Sequence, residues 1–136
     1  MRRVFADTHF YVALLNRDDP AHPKARAWAG GAEVVAVVPT SWILTETANA
    51  LSKSHRRAQC GQFLTRLTRS ERTKVVPLSE ELQGRGLELY ISRPDKEWSL
   101  TDCISFVVMA DEGLTEALTN DRHFGQAGFT ALLVEK

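Results

Sequence analysis

The chain has 136 residues and an ordinary globular composition, 43% hydrophobic and 25% charged. That is one domain's worth, and it excludes a disordered, collagen-like or coiled-coil chain. Seventeen Lys and Arg balance 17 Asp and Glu, which excludes polyanion binding driven by overall charge.

No apolar run approaches the ~20 residues of a membrane helix. The start, Met1-Arg2-Arg3-Val4-Phe5-Ala6-Asp7, meets an acid too early for a signal peptide. The expectation is a single domain over residues 1–136, cytoplasmic and with no membrane partner. Cys60 and Cys103 form no CxxC, and His9, His22, His55 and His123 form no HExxH-like pair. A metal site would have to use oxygen ligands.

In chain order, Val4–Ala6 reads as a short buried strand. Thr8 caps a helix over Phe10–Leu15, and Asn16–Pro20 is turn chemistry. A second helix spans Pro23–Ala29 and stops at Gly30-Gly31. The β-branched run Val34–Val38 predicts a buried parallel strand. Ser41 caps a helix to about Ser54, and another helix covers Arg57–Arg69. Lys74–Leu78 reads as a strand weakened by Pro77. Ser79 caps a helix to Ile91, and Ser99 caps an apolar helix through Asp111 that ends at Gly113. Glu116–Thr119 and Ala131–Val134 are the last strands. Strands separated by helices predict an α/β fold with a mostly parallel sheet. Ligands in such sheets bind beyond the carboxyl ends of the strands.

Four carboxylates draw attention. Asp7 ends the first strand, and Asp121 follows the fourth apolar strand; either alone reads as a turn acid. Asp102 lies on a helix that is apolar nearly all round, and a bare buried carboxylate costs several kcal/mol, of order 3–5, unless paired or metal-bound. Ser99-x-x-Asp102 also fits a capping box. Glu46 borders the apolar stripe of its helix, with Asn49 one turn on. Inward carboxylates without matching cations repel one another. Divalent Mg²⁺ or Mn²⁺ resolves that repulsion and suits phosphodiester hydrolysis.

The charge is unevenly spread. Lys53, Arg56, Arg57, Arg66, Arg69, Arg72 and Lys74 face only Glu71 between residues 53 and 74. That stretch reads as an RNA grip or a solvated face. Arg122 and His123 follow Asp121 and read as phosphate contacts or loop surface. Trp28, Trp42 and Trp98 read as base-stacking groups or, by the general habit of aromatic residues, as packing groups.

Four segments carry a family resemblance: Ala6-Asp7-Thr8-His9-Phe10, Pro39-Thr40-Ser41-Trp42-Ile43-Leu44-Thr45-Glu46, Leu100-Thr101-Asp102-Cys103-Ile104-Ser105-Phe106 and Leu118-Thr119-Asn120-Asp121-Arg122-His123-Phe124. In this order they resemble the PIN-domain nucleases, most closely the VapC-type toxins of toxin–antitoxin pairs. The resemblance implies a three-layer α/β sandwich with a mostly parallel central sheet wrapped by helices. It implies an acidic pocket for one or two Mg²⁺ or Mn²⁺ ions and cleavage of RNA by metal-activated water. Carried over, Asp7 and Asp102 are core metal ligands, Glu46 completes the first site or helps position the water, and Asp121 assists a second ion. Thr8, Ser105 and Thr119 orient carboxylates or bind phosphate. An antitoxin partner and a homodimer are implied as well.

Four other readings compete. An aspartate phosphatase wants a second Asp two residues after Asp7, where this chain has His9. A phosphoacceptor domain wants paired acids at the first strand and a late lysine. A noncatalytic RNA- or partner-binding module of the same fold needs no intact acid set, and an RNA-processing nuclease needs no antitoxin.

Overall fold

The computed structural model describes residues 1–31, 33–53 and 55–134. Among these, four strands form one all-parallel sheet of order β2-β1-β3-β4, with β1 Arg2–Ala6, β2 Val35–Val38, β3 Glu116–Leu118 and β4 Thr130–Ala131. Seven helices surround it: α1 Thr8–Leu15, α2 His22–Gly30, α3 Ser41–Ala50, α4 Arg57–Thr68, α5 Glu80–Ser92, α6 Leu100–Glu112 and α7 Arg122–Gln126. Contacts between helices run chiefly along α1 to α4 and along α5 to α7. No described helix is long and apolar enough to cross a membrane.

β1 is the centre of the sheet. Val4, Phe5 and Ala6 are wholly buried, as expected of a parallel strand covered on both faces. Phe5 pairs with Val38 on one side and Ala117 on the other. The Asp7 N–H then donates to the Leu118 carbonyl. Pairing therefore continues to the first residue of the site.

Several boundaries differ from the sequence expectation. Lys74–Leu78 is not a strand. Its segment runs parallel along β2 through two isolated bridges, Val37 with Thr73 and Thr40 with Val76. Pro77 has no N–H with which to extend the ladder. Asp121 therefore follows the third strand, not the fourth. β2 is half-buried rather than fully buried, because it lies at the edge of the sheet. The cap of α1 is Asp7 rather than Thr8. The cap of α3 is Thr40, whose hydroxyl accepts from the Ile43 N–H, while the Ser41 hydroxyl accepts from the Leu78 N–H. α3 ends at Ala50, and Ser54 lies outside the described residues.

Other signals hold residue for residue. Ser79 caps α5. Ser99 and Asp102 form the reciprocal capping box of α6, and Gly113 closes that helix at φ 69°, a left-handed conformation natural to glycine. α5 and α6 approach closely at Gly86. A Cβ there would lie 2.5 Å from Ile104 Cγ1 and 3.2 Å from its Cα.

Candidate active site

Parallel strands bring their carboxyl ends to one edge of the sheet, and a cleft of about 570 Å³ opens there. Its acids arrive from separate elements: Asp7 from the end of β1, Glu46 from α3, Asp102 from the first turn of α6 and Asp121 from the turn after β3. Glu97 adds a fifth. Among the described residues no Lys or Arg lines the cleft, and the potential cations there are His9 and His123.

Asp7, Asp102 and Asp121 are each held through one oxygen, and Glu46 through both. Asp7 is buried, and its side chain is not spent on capping α1. Asp7 Oδ2 instead accepts from the Thr119 hydroxyl at 2.8 Å and contacts His9 Nδ1 at 3.1 Å. Glu46 receives one hydroxyl on each oxygen, Thr8 at 2.9 Å on Oε1 and Thr101 at 3.0 Å on Oε2. Asp102 Oδ2 accepts from the Ser99 N–H at 3.1 Å and meets His123 Nδ1 at 2.9 Å. When Asp102 is ionised it can only accept, and the proton of that contact is then on His123 Nδ1. Asp121 Oδ1 caps α7 through the His123 N–H at 2.9 Å.

The two readings of Asp102 therefore coexist. One oxygen serves the capping box and His123. Among the described residues no hydrogen bond reaches Asp102 Oδ1, Asp7 Oδ1 or Asp121 Oδ2. Three carboxylate oxygens thus remain available beside an open cleft. Asp102, Asp121 and His123 each offer a ligand atom, all within 4.8 Å of one another. This donor set, rich in oxygen and without Lys or Arg, fits a hard divalent cation.

Electrostatics agree with the crowding. Burial pushes the Asp102 carboxyl above the usual carboxylate range; its bonds to His123 and Ser99 pull the other way, and the neighbouring Asp121 and Asp7 charges add to the rise. The bond to Asp7 raises His9, against the opposing effect of burial.

The remaining expected residues divide. Thr8 and Thr119 orient carboxylates. Ser105 is buried one turn beyond Asp102 and does not line the cleft. Of the basic candidates only His123 does. Lys53, Arg56, Arg57, Arg66, Arg69 and Arg122 lie elsewhere, Arg56 bound to Asp18 and Arg57 to the Ser52 carbonyl. Arg72 follows α4 rather than lying on it, so it does not continue a face with Arg66 and Arg69. Sequence reasoning missed Thr101, Glu97 and His9 as site residues. Thr101 and His9 had a signal, each lying within two residues of a site aspartate.

An all-parallel α/β domain with a carboxylate cleft at its strand ends is the class that fold and site define. The family model described as the PIN domain matches residues 4–130, and the chain belongs to that family. It is 32% identical over 135 residues, 97% of this chain and 99% of the other, to the 23S rRNA-specific endonuclease VapC20 of Mycobacterium tuberculosis. The crystal structure of that protein, described as a sarcin–ricin-loop-cleaving toxin, matches with a TM-score of 0.82 over 93% of this chain and 96% of that one, at 27% identity. The structure of VapBC2 from Rickettsia felis bound to a promoter DNA fragment matches over 95% of this chain and 96% of that one, with a TM-score of 0.66 and 15% identity. At that identity the likeness concerns the fold.

Proposed function

We propose that the chain is a metal-dependent endoribonuclease and the toxin of a toxin–antitoxin pair. The observation that carries the reaction is the set of three available carboxylate oxygens on Asp7, Asp102 and Asp121, in a cleft that no described Lys or Arg lines. The toxin assignment and its RNA substrate are supported by the 32% identity to VapC20 across almost the whole of both chains. An antitoxin partner, a homodimer and a cytoplasmic location belong to the same reading.

Asp7, Asp102 and Asp121 would hold one or two Mg²⁺ or Mn²⁺ ions, with Glu46 beside them. When bound, such an ion offsets the acid charge so that a phosphodiester can enter, and supplies a water of lowered pKa. The protein's own part is positioning. Thr119 fixes the Asp7 carboxylate, Thr8 and Thr101 fix Glu46, and His123 with the Ser99 N–H fixes Asp102. Ligand carboxylates held in this way need no rearrangement as the reaction proceeds. In the hydrolysis, water adds to phosphorus, one P–O ester bond breaks and the leaving oxygen takes a proton.

The test is incubation of the purified chain with ribosomal and other labelled RNAs, in Mg²⁺ or Mn²⁺ and in EDTA, beside Asp7→Asn. Cleavage that needs the ion and disappears in the variant is expected. Cleavage that persists in EDTA or in Asp7→Asn would overturn the metal-site reading. Absence of cleavage on every RNA would overturn the nuclease.

A further inference from the structure

The cleft poses a problem for its proposed substrate. Acids line it and, among the described residues, no Lys or Arg does, so no lysine or arginine there grips the nucleotides beside the scissile phosphate. One wall offers something else. Trp42 is 39% exposed and lines the cleft.

The three tryptophans have different surroundings. Trp98 is buried, edge-on to Phe106 and bonded through Nε1 to Gln126. Trp28 lies under the Arg2 guanidinium. Among the described residues, neither an aromatic ring nor a cation packs on Trp42. Its Nε1 donates to the Thr101 hydroxyl at 2.9 Å, and that hydroxyl donates to Glu46 Oε2 at 3.0 Å. The ring orientation is therefore tied to a site acid. The N–H is already spent, so what remains for a ligand is the π face.

We propose that Trp42 is a base-binding platform: an unstacked nucleobase next to the scissile phosphate lies on the exposed indole face at the cleft wall. The inference rests on the ribonuclease reading and adds the subsite that holds the substrate. A π face stacks on any base and discriminates weakly among them. It requires the base to be free of its own stack, which selects single-stranded or looped RNA over a continuous duplex.

The test uses the full chain in an Asp7→Asn background with Mg²⁺, where bound RNA is not consumed. Binding of a labelled single-stranded oligoribonucleotide is measured for that protein and for added Trp42→Phe or Trp42→Ala. Tryptophan emission is followed in parallel, and melting curves check that each variant folds. Base stacking predicts that Trp42→Ala weakens binding about 10- to 100-fold. Trp42→Phe, which keeps a ring but loses the bond to Thr101, should weaken it less than about threefold. RNA should quench the emission of the parent, and Trp42→Phe should remove most of that quenching. In the Asp7-containing enzyme, Trp42→Ala should act mainly on KM.

Equal binding by Trp42→Ala and its parent would overturn the platform while leaving the nuclease intact. So would equal losses in Trp42→Phe and Trp42→Ala confined to kcat, since Trp42 would then only brace Thr101 and Glu46. No RNA binding or cleavage by the Trp42-containing proteins would overturn the ribonuclease reading, and this inference with it.

Discussion

The Thr119 hydroxyl donates to Asp7 Oδ2 at 2.8 Å while accepting from the Asp121 N–H at 3.1 Å. One wholly buried side chain thereby couples the aspartate after β1 to the aspartate after β3. Thr119→Val keeps the shape and removes both bonds. Cleavage should fall about 10- to 100-fold, the usual cost of losing a group that orients a metal ligand. Stability should fall by about 1–3 kcal/mol, because the half-buried Asp121 N–H loses its acceptor and the buried Asp7 Oδ2 keeps only its contact with His9. Initial rates over a metal titration and denaturant melts read the two effects separately.

Asp102→Asn should separate activity from stability. Cleavage should drop by more than about 100-fold, since the side chain itself is a proposed ligand. In chelator the variant should be more stable than the parent at neutral pH. Burial raises the native carboxyl above its ordinary value of 3.8, so the native state holds this proton to higher pH than the unfolded chain does. The resulting destabilisation is absent below the unfolded value, grows as pH rises through the raised native one and is complete above it. The advantage of Asn should therefore shrink on acidification. Melts in EDTA from about pH 7 down to about pH 4 span this window.

Tyr11 carries a buried hydroxyl with no hydrogen-bond partner among the described residues. Burial holds its ionisation well above the usual tyrosine range. Tyr11→Phe removes an unsatisfied polar group and keeps the ring contacts with Phe10 and Phe63. Stability should rise by up to about 1–3 kcal/mol, with cleavage unchanged. A fall in the denaturant midpoint would count against the absence of a partner.

Gly86→Ala and Gly84→Ala should differ in sign. At Gly86 the added methyl meets Ile104, whose side chain is itself buried. The strain, about 1–3 kcal/mol, outweighs the ~0.5–1 kcal/mol that alanine gains in a helix. At Gly84 nothing lies within 4 Å of the new methyl, so only the helix gain remains. A pair of urea titrations decides it.

The parts of the fold legible beforehand were those set by local chemistry. Ser99, Asp102 and Gly113 are fixed by backbone groups a few residues away, so both ends of α6 could be read directly. The positions of Asp7 and Asp121 followed from short apolar stretches, Val4–Ala6 and Ala117–Leu118, each followed within three residues by an aspartate. Lys74–Leu78 was misread because its apolar pattern says nothing of how many ladder bonds Pro77 permits. Of the basic candidates only His123 lines the cleft, because a run of charge along the chain does not say what its side chains turn toward. Thr101 became visible only when α3 and α6 were packed together, since its bonds with Glu46 and Trp42 cross between those helices; of the three tryptophans named as stacking or packing groups, the same packing places Trp42 on the cleft.

Asp7 and Thr119 are 112 residues apart in the chain, and β1 lies between partners drawn from residues 35–38 and 117–118. A nascent chain that has emerged only as far as α6 already carries Asp7, Glu46 and Asp102, but neither the strand that completes β1 nor the hydroxyl that holds Asp7. The same is true of a fragment cut between α6 and β3. Assembly of the cleft is thus deferred until β3 and Thr119 have been made, and cleavage of the α6–β3 connection separates the groups that form it.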